Sequence, residues 1–181
     1  MGRKDSYPKC PDRPDDAPGV RDVEYWLGIY TSIDQIPDRY RLDNYESKFK
    51  GEDTWNKYLE TRNDLAESTK KNSWYPCGER FKKFMHEEAG RHHALPQPND
   101  IEAYLGHIKD GGYSVKVTER TLNTVYYQHL SPLKTFFRWL VHHVDYPHIY
   151  NPVLLAAHAS GITREVWYWQ IDYKPDYRDR K

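Results

Sequence analysis

The sequence predicts an all-α fold: a bundle of four to five short helices preceded by an N-terminal extension. Apolar side chains recur at intervals of three and four residues over most of the chain after residue 50, as in amphipathic helices. Residues that favour helix starts, among them Asp53, Thr118 and Asn151, precede these segments. Hydrophobic residues are only 38% of the chain, so the core must rely on its many aromatic side chains.

The N-terminal third carries the weakest helical pattern. Residues 1–20 are rich in proline and aspartate and offer little to bury, so we expect them to be disordered. Residues 21–58 form an extension of uncertain structure. Within it, residues 22–31 fit either a short strand or one packed helical turn. A better-marked helix follows Asp53, and its apolar face consists of Trp55, Tyr58 and Leu59.

Residues 59–154 form the main predicted helical unit. Its first secure helix runs over about 76–89, because Pro76 breaks or kinks a helix unless it lies in the first turn, and Gly90 ends it. The next helix covers 99–110, where Asn99 and Glu102 fit a capping box.

The segment 117–152 holds the most informative pattern. Thr118 is the expected N-cap of a helix whose apolar seam continues past Ser131 and Pro132. Ser131 can cap a new helix that starts at Pro132, so this stretch is either two helices or one kinked helix. Asn151 and a following proline start another short helix.

Residues 155–181 form a predicted C-terminal helix and tail. Their aromatic part, 166–173, is a strand or a helix. It either packs on the chain's own core or presents a surface to a partner protein, because an uncovered aromatic patch would be sticky.

The charge of the chain is balanced, with 27 basic and 27 acidic side chains. A net charge of zero argues mildly against a nucleic-acid-binding protein. The distribution is locally uneven, since four basic residues in 113–141 are accompanied by Glu119 alone as an acidic one. These basic residues are Lys116, Arg120, Lys134 and Arg138.

Several classes of protein find no support in the sequence. No apolar run is long enough to span a membrane, and the N-terminus has no signal-peptide pattern, so a cytoplasmic protein is expected. Cys10 and Cys77 form no metal or redox motif. The pairs His92-His93 and His142-His143 lack metal-ligand spacing. We therefore expect no metal, no cofactor and, without a catalytic triad, no enzymatic activity.

An ordered set of motifs in residues 59–154 resembles one known family. The set includes TERT at 118–121, HLSPLKTFFRWL at 129–140, and Asn151-Pro152. In this order and spacing it resembles the SAM-like core-binding domain of tyrosine recombinases, the phage-integrase type. The resemblance covers about 96 of 181 residues. Pro76 and Pro132 depart from it, because the family usually has uninterrupted helix at those places.

The resemblance implies binding to double-stranded DNA in site-specific recombination or integration. The family's catalytic domain, with its His-x-x-Arg motif and tyrosine nucleophile, has no counterpart in this sequence. We therefore expect this chain to bind DNA without cutting it, together with other recombinase protomers or a separate catalytic part, and to be nucleoid-associated when bound.

Cations and hydroxyls off the apolar seam are the candidate DNA contacts, because phosphate contacts provide most of the affinity. Arg120 is a candidate for guanine and Gln128 for adenine. The full candidate set is Lys70, Lys71, Lys116, Thr118, Arg120, Thr121, Thr124, Gln128, Lys134 and Arg138. The alternative is a helical protein–protein interaction module without DNA binding, which uses the aromatic C-terminal segment.

Overall fold

The computed structural model describes residues 23–173, and over this range the predicted all-α class is confirmed. The part of the chain it covers contains helices and loops and no β-strand. The predictions for residues 1–20, for the start of the extension and for the end of the C-terminal tail lie outside the described residues.

The helices come in two size classes. Short ones are α1 (Val23–Trp26), α2 (Glu46–Phe49), α4 (Glu67–Thr69) and α7 (Leu122–Val125). Longer ones are α3 (Thr54–Thr61), α5 (Tyr75–Glu87), α6 (Pro98–Lys109), α8 (Ser131–His142), α9 (Pro152–His158) and α10 (Ile162–Tyr173). Short 3₁₀ segments cover Ile33–Gln35, Asp38–Tyr40 and Leu42–Tyr45.

Two π-helical segments join short helices to long ones. Lys70–Trp74 links α4 to α5, and Tyr126–Leu130 links α7 to α8, so each group is continuous. Each π segment ends two residues before a proline, Pro76 or Pro132. Proline lacks an N–H and its ring clashes with the carbonyl four residues earlier. A π turn adds one residue to the helical turn at that point, so the helix continues past the proline.

Ser131 therefore does not cap a new helix, which is one of the two alternatives that the sequence allows. Ser131 has helical dihedral angles, and its carbonyl accepts a hydrogen bond from the Thr135 hydroxyl at 2.8 Å. The helix begins earlier, and its N-cap is Thr121 rather than Thr118, since the Thr121 hydroxyl accepts from the Thr124 amide. The structure thus selects one continuous helix over two.

Other predicted caps have mixed outcomes. Asp53 caps α3 and Asn151 caps α9, as expected. The capping box of α6 was misplaced by two residues: it joins Gln97 and Asp100. Glu102 instead caps α10, where its carboxylate accepts from the Ile162 and Thr163 amides and from the Thr163 hydroxyl.

A single aromatic core unites the described elements. Trp55 and Phe136 pack α3 on α8 with ring centroids 4.8 Å apart, and Phe81 and Tyr104 pack α5 on α6 at 5.0 Å. Gly78 makes the approach of α3 to α5 possible, because a Cβ there would lie 2.2 Å from the Trp55 indole nitrogen. Burial of such rings is the main favourable term in folding.

Residues 23–53 also contribute to this core, through buried Val23, Ile36, Leu42 and Phe49. Residues 22–31 were compatible with either a short strand or a helical turn, and the structure has a single helical turn there, α1. The predicted boundaries at 58 and 154 both fall inside helices, α3 and α9. In the described range, the extension and the helical unit share one hydrophobic cluster.

Candidate nucleic-acid interface

The exposed side of the helix from Leu122 to His142 is the strongest candidate surface. This helix comprises α7, the second π segment and α8, and its sequence contains no aspartate or glutamate. Partly or fully exposed polar side chains follow each other along this helix, and those after the π segment, from Ser131 to His142, are three or four residues apart and share one side of α8. We call this row the polar stripe: Thr124, Gln128, Ser131, Thr135, Arg138 and His142. At 1.5 Å per residue it runs along a helix of roughly 30 Å.

Arg138 is the most available cation of the polar stripe. Its side chain is exposed, and no carboxylate of residues 23–173 lies within ion-pair distance of it. The backbone carbonyl of Arg138 is 2.7 Å from Nδ1 of His142, which fixes the histidine ring one turn further along. A guanidinium held on a rigid helix and free of acidic partners is suited to a phosphate oxygen.

Lys134 flanks the polar stripe on the side of α10 and α1. Its ammonium lies 5.0 Å from the centroid of the Trp167 ring and 6.0 Å from that of Trp26. These cation–π contacts hold a half-buried positive charge next to the stripe.

A shallow pocket of about 410 Å³ lies on the other side of the stripe, where Arg138 and His142 meet Arg62 of the segment after α3. The Arg62 guanidinium is bound by Asp64 at 2.6 and 2.7 Å and by the Tyr58 hydroxyl at 2.5 Å. The hydrogen bonds to Asp64 raise the pKa of Arg62 above its usual value. Arg62 is therefore largely neutralised and adds less to the positive potential than its position suggests.

The loop before the stripe carries three of the predicted contacts. Lys116 and Thr118 are exposed. Arg120 is half-buried, and its Nη1 donates to the Ile108 carbonyl at 2.5 Å. Burial, then the nearby Arg80 charge, lowers the pKa of Arg120. This guanidinium ties the loop to α6, so the structure gives little support to a bidentate guanine contact by Arg120.

Lys70 and Lys71 lie apart from the stripe, in the π segment before α5. Lys70 is only 7% exposed, and its ammonium is 3.1 Å from Glu67, so it is poorly placed for DNA. Lys71 is exposed.

The structure thus places Thr124, Gln128, Lys134 and Arg138 on one continuous helix, with Thr121 at its N-cap. Sequence reasoning missed Ser131, Thr135 and His142. Their spacing of seven, three and four residues from Arg138 would have revealed them as neighbours on the same side of α8.

A buried polar cluster lies beneath the π segment of this helix. The Tyr104 hydroxyl is 2.8 Å from His129 Nδ1, and the Cys77 thiol is 3.9 Å from the His129 carbonyl. Burial raises the pKa of the Cys77 thiol and lowers that of His129 to about 3. Among residues 23–173 no group of three or more potential metal ligands is assembled, here or elsewhere.

The aromatic C-terminal segment is largely part of the core. Residues up to Tyr173 belong to α10, and Val166 and Trp167 are 0% and 3% exposed. The sequence allowed this segment either to pack on the chain's own core or to face a partner protein, and these two residues pack on the core. Within the described residues, no helix is both long and apolar enough to cross a bilayer.

Comparison with protein-family models, with curated proteins and with solved structures gave no match for this chain.

Proposed function

We propose that this protein binds double-stranded DNA through the polar stripe and Lys134. The observation that carries the proposal is a continuous 21-residue helix, 122–142, that has no acidic residue and carries partly or fully exposed hydroxyls, an amide and cations along its length. Phosphate oxygens are bound by such groups, and a helix of this length fits along a major groove. In this arrangement Arg138, His142 and Lys134 bind phosphates, while Gln128 can reach a base edge.

The balanced total charge limits the proposed affinity. With few cations at the proposed interface, binding relies on a small number of phosphate contacts and is strong only at low salt. Asp64 next to the stripe also repels a phosphate on that side, which favours an approach from the side of Lys134.

The biological setting we propose is site-specific recombination, in which this chain binds DNA and does not catalyse strand cleavage. Support for this finer part comes from the ordered motifs of residues 118–152, which resemble the core-binding domain of tyrosine recombinases. On that basis the partners are duplex DNA and the catalytic part of a recombinase.

A binding assay with a fluorescent duplex of about 25 base pairs at about 50 mM salt tests the proposal. We expect Arg138→Ala to weaken binding several-fold, since one phosphate contact is lost. Lys83→Ala is the control, because Lys83 is also an exposed cation but lies on α5, away from the stripe. Absence of binding by the wild type, or equal losses in both variants, would refute the proposed interface.

A further inference from the structure

A cavity of about 400 Å³ lies beside the polar stripe, on the side away from Arg62. Its walls come from α1 and the segment after it, from α8, from the loop after α8 and from the start of α9. This volume is within the roughly 300–1,000 Å³ typical of small-molecule sites. Separate parts of the chain therefore shape one cavity that is large enough for a small organic molecule.

Most of the cavity wall is aliphatic. Leu154 and Leu155 of α9 are buried, while Ile149 in the preceding loop is 40% exposed, so the aliphatic wall extends from the interior to solvent. Leu27 and Val141 add to this wall from two other elements. Water beside such a wall finds few hydrogen-bond partners, so an aliphatic chain that displaces it gains free energy.

Several polar groups of the wall are already engaged within the protein. The Asn151 side chain caps α9, and its amide nitrogen donates to the Lys134 carbonyl at 3.0 Å. Tyr150 is hydrogen-bonded to the backbone of Leu42. The Lys134 ammonium lies 6.0 Å from the centroid of the Trp26 ring, so these two side chains contact each other. We therefore expect a ligand to bind through the other groups of the wall.

Arg138 is the cation that a ligand in this cavity can bind. It lines the cavity, its side chain is exposed, and no carboxylate of residues 23–173 lies within ion-pair distance of it. None of the described lining residues is acidic, so the wall itself does not repel an anion. A guanidinium can bind a carboxylate through two parallel hydrogen bonds. Because Arg138 is exposed, the bound carboxylate keeps part of its hydration and avoids the desolvation cost of a buried ion.

We infer that this cavity binds a small aliphatic carboxylate, with its hydrocarbon chain against Ile149, Leu154 and Leu155 and its carboxylate on the Arg138 guanidinium. A purely apolar ligand would leave the cation without a partner. An anion without a hydrocarbon chain would leave the aliphatic wall in contact with water. The ligand class that fits both features is a monoanion with an unbranched chain of several carbons.

Isothermal titration calorimetry of the full chain with hexanoate and octanoate tests this site. A buried CH₂ group contributes about 0.8 kcal/mol, so octanoate should bind about 15-fold more tightly than hexanoate. Octylammonium has the same chain and the opposite charge, and it should bind about tenfold more weakly than octanoate. Arg138→Gln should reduce that ratio. If hexanoate or octylammonium binds as tightly as octanoate, the inference is overturned.

Ile149→Asp tests the aliphatic wall. It places a carboxylate in the cavity wall, where it repels the ligand, and we expect octanoate affinity to fall at least tenfold. Val144→Asp is the matched control, because Val144 is also an exposed aliphatic residue of the same loop and does not line the cavity. Equal losses in the two variants would show that octanoate binds elsewhere and would overturn the inference.

Gly28→Phe fills the cavity without removing a side-chain contact. Gly28 is exposed and lines the cavity, and a Cβ built there meets no atom within 4 Å, so the variant is compatible with folding. It should also lower octanoate affinity at least tenfold, through loss of the space for the chain. This second variant keeps the test decisive if Ile149→Asp does not fold. An affinity equal to that of the wild type would count against the cavity as the site.

Octanoate should also weaken duplex binding, a consequence that rests on the proposed function, because the carboxylate and a DNA phosphate compete for Arg138. Saturating octanoate should raise the Kd of the wild type for the fluorescent duplex several-fold and leave that of Gly28→Phe unchanged. If the wild type binds octanoate and the duplex independently, Arg138 does not hold the carboxylate and the inference is overturned. If the duplex binds and octanoate does not, the inference fails and the proposed function stands. If octanoate binds as described and no duplex binds, only the proposed function fails.

Discussion

The Tyr104 hydroxyl and the Nδ1 atom of His129 are 2.8 Å apart, and both side chains are completely buried between α6 and the second π segment. The other ring nitrogen of His129, Nε2, has no hydrogen-bond partner within the described part of the chain. A charged imidazole would be costly there, so the ring is neutral in the folded protein. This histidine is one of several that make folding sensitive to acid.

Stability should fall steeply as the pH decreases below about 6.5. Burial lowers the pKa of His93 and His129 to about 3 and that of His148 to about 4. In the unfolded chain these groups titrate near 6.5, so below that pH the unfolded state binds more protons than the folded state. Their contribution is complete above pH 6.5 and is lost progressively as the pH falls towards the folded-state pKa values of about 3 to 4.

Within that window, each of these histidines should lower the free energy of unfolding by about 1.4 kcal/mol for every pH unit of acidification. Urea denaturation between pH 7 and 5 measures the free energy of unfolding. His148→Gln should reduce the slope of this free energy against pH by the contribution of one histidine. A stability that does not change with pH over this range would show that these rings are already solvated.

The π turn before Pro132 should be removable. Deletion of exposed Gln128 together with Pro132→Ala converts this stretch to a regular α-helix and keeps Val125 and Phe136 on the buried side. We expect a folded protein, within about 2 kcal/mol of the wild type. Deletion of Arg138, equally exposed but outside the π segment, rotates the last turn of α8 by about 100°. Circular dichroism and thermal unfolding should show a much larger loss for that control.

Glu102 should stabilise the chain through the N-terminus of α10. Its carboxylate accepts three hydrogen bonds there, so Glu102→Ala is expected to lower the free energy of unfolding by about 1–2 kcal/mol. Glu60→Ala, an exposed glutamate on α3, is the control and should have little effect. Equal losses in the two variants would mean that the cap is not formed in solution. Gly161 is required by the same contact, because a Cβ would lie 2.2 Å from the Glu102 carboxylate.

Local patterns predicted the helices well and their connections poorly. The all-α class and the caps at Asp53 and Asn151 follow from residue type and spacing alone. The continuity through Pro132 could not be predicted that way, because proline signals a break and a π turn has no residue signature of its own. The cap at Glu102 also depends on an element 60 residues away in the sequence, which no local pattern shows.

The candidate site was only partly predictable for the same reason. Gln128 and Arg138 were recognised by type, and in the structure both are exposed on one continuous helix. Lys70 and Arg120 were chosen by type as well, but both side chains are at least partly buried and bind partners within the protein. Trp26 and Tyr30 reach α8 only through the folding of the N-terminal segment onto α9, a tertiary contact.

The salt dependence of duplex binding tests the central claim most directly. The logarithm of the affinity should fall linearly with the logarithm of the salt concentration, with a slope that reflects the number of phosphate contacts. For Arg138→Ala we predict a slope smaller by about one unit than for the wild type, with Lys83→Ala unchanged. An affinity independent of salt, or identical slopes for the wild type and Arg138→Ala, would contradict DNA binding through the polar stripe.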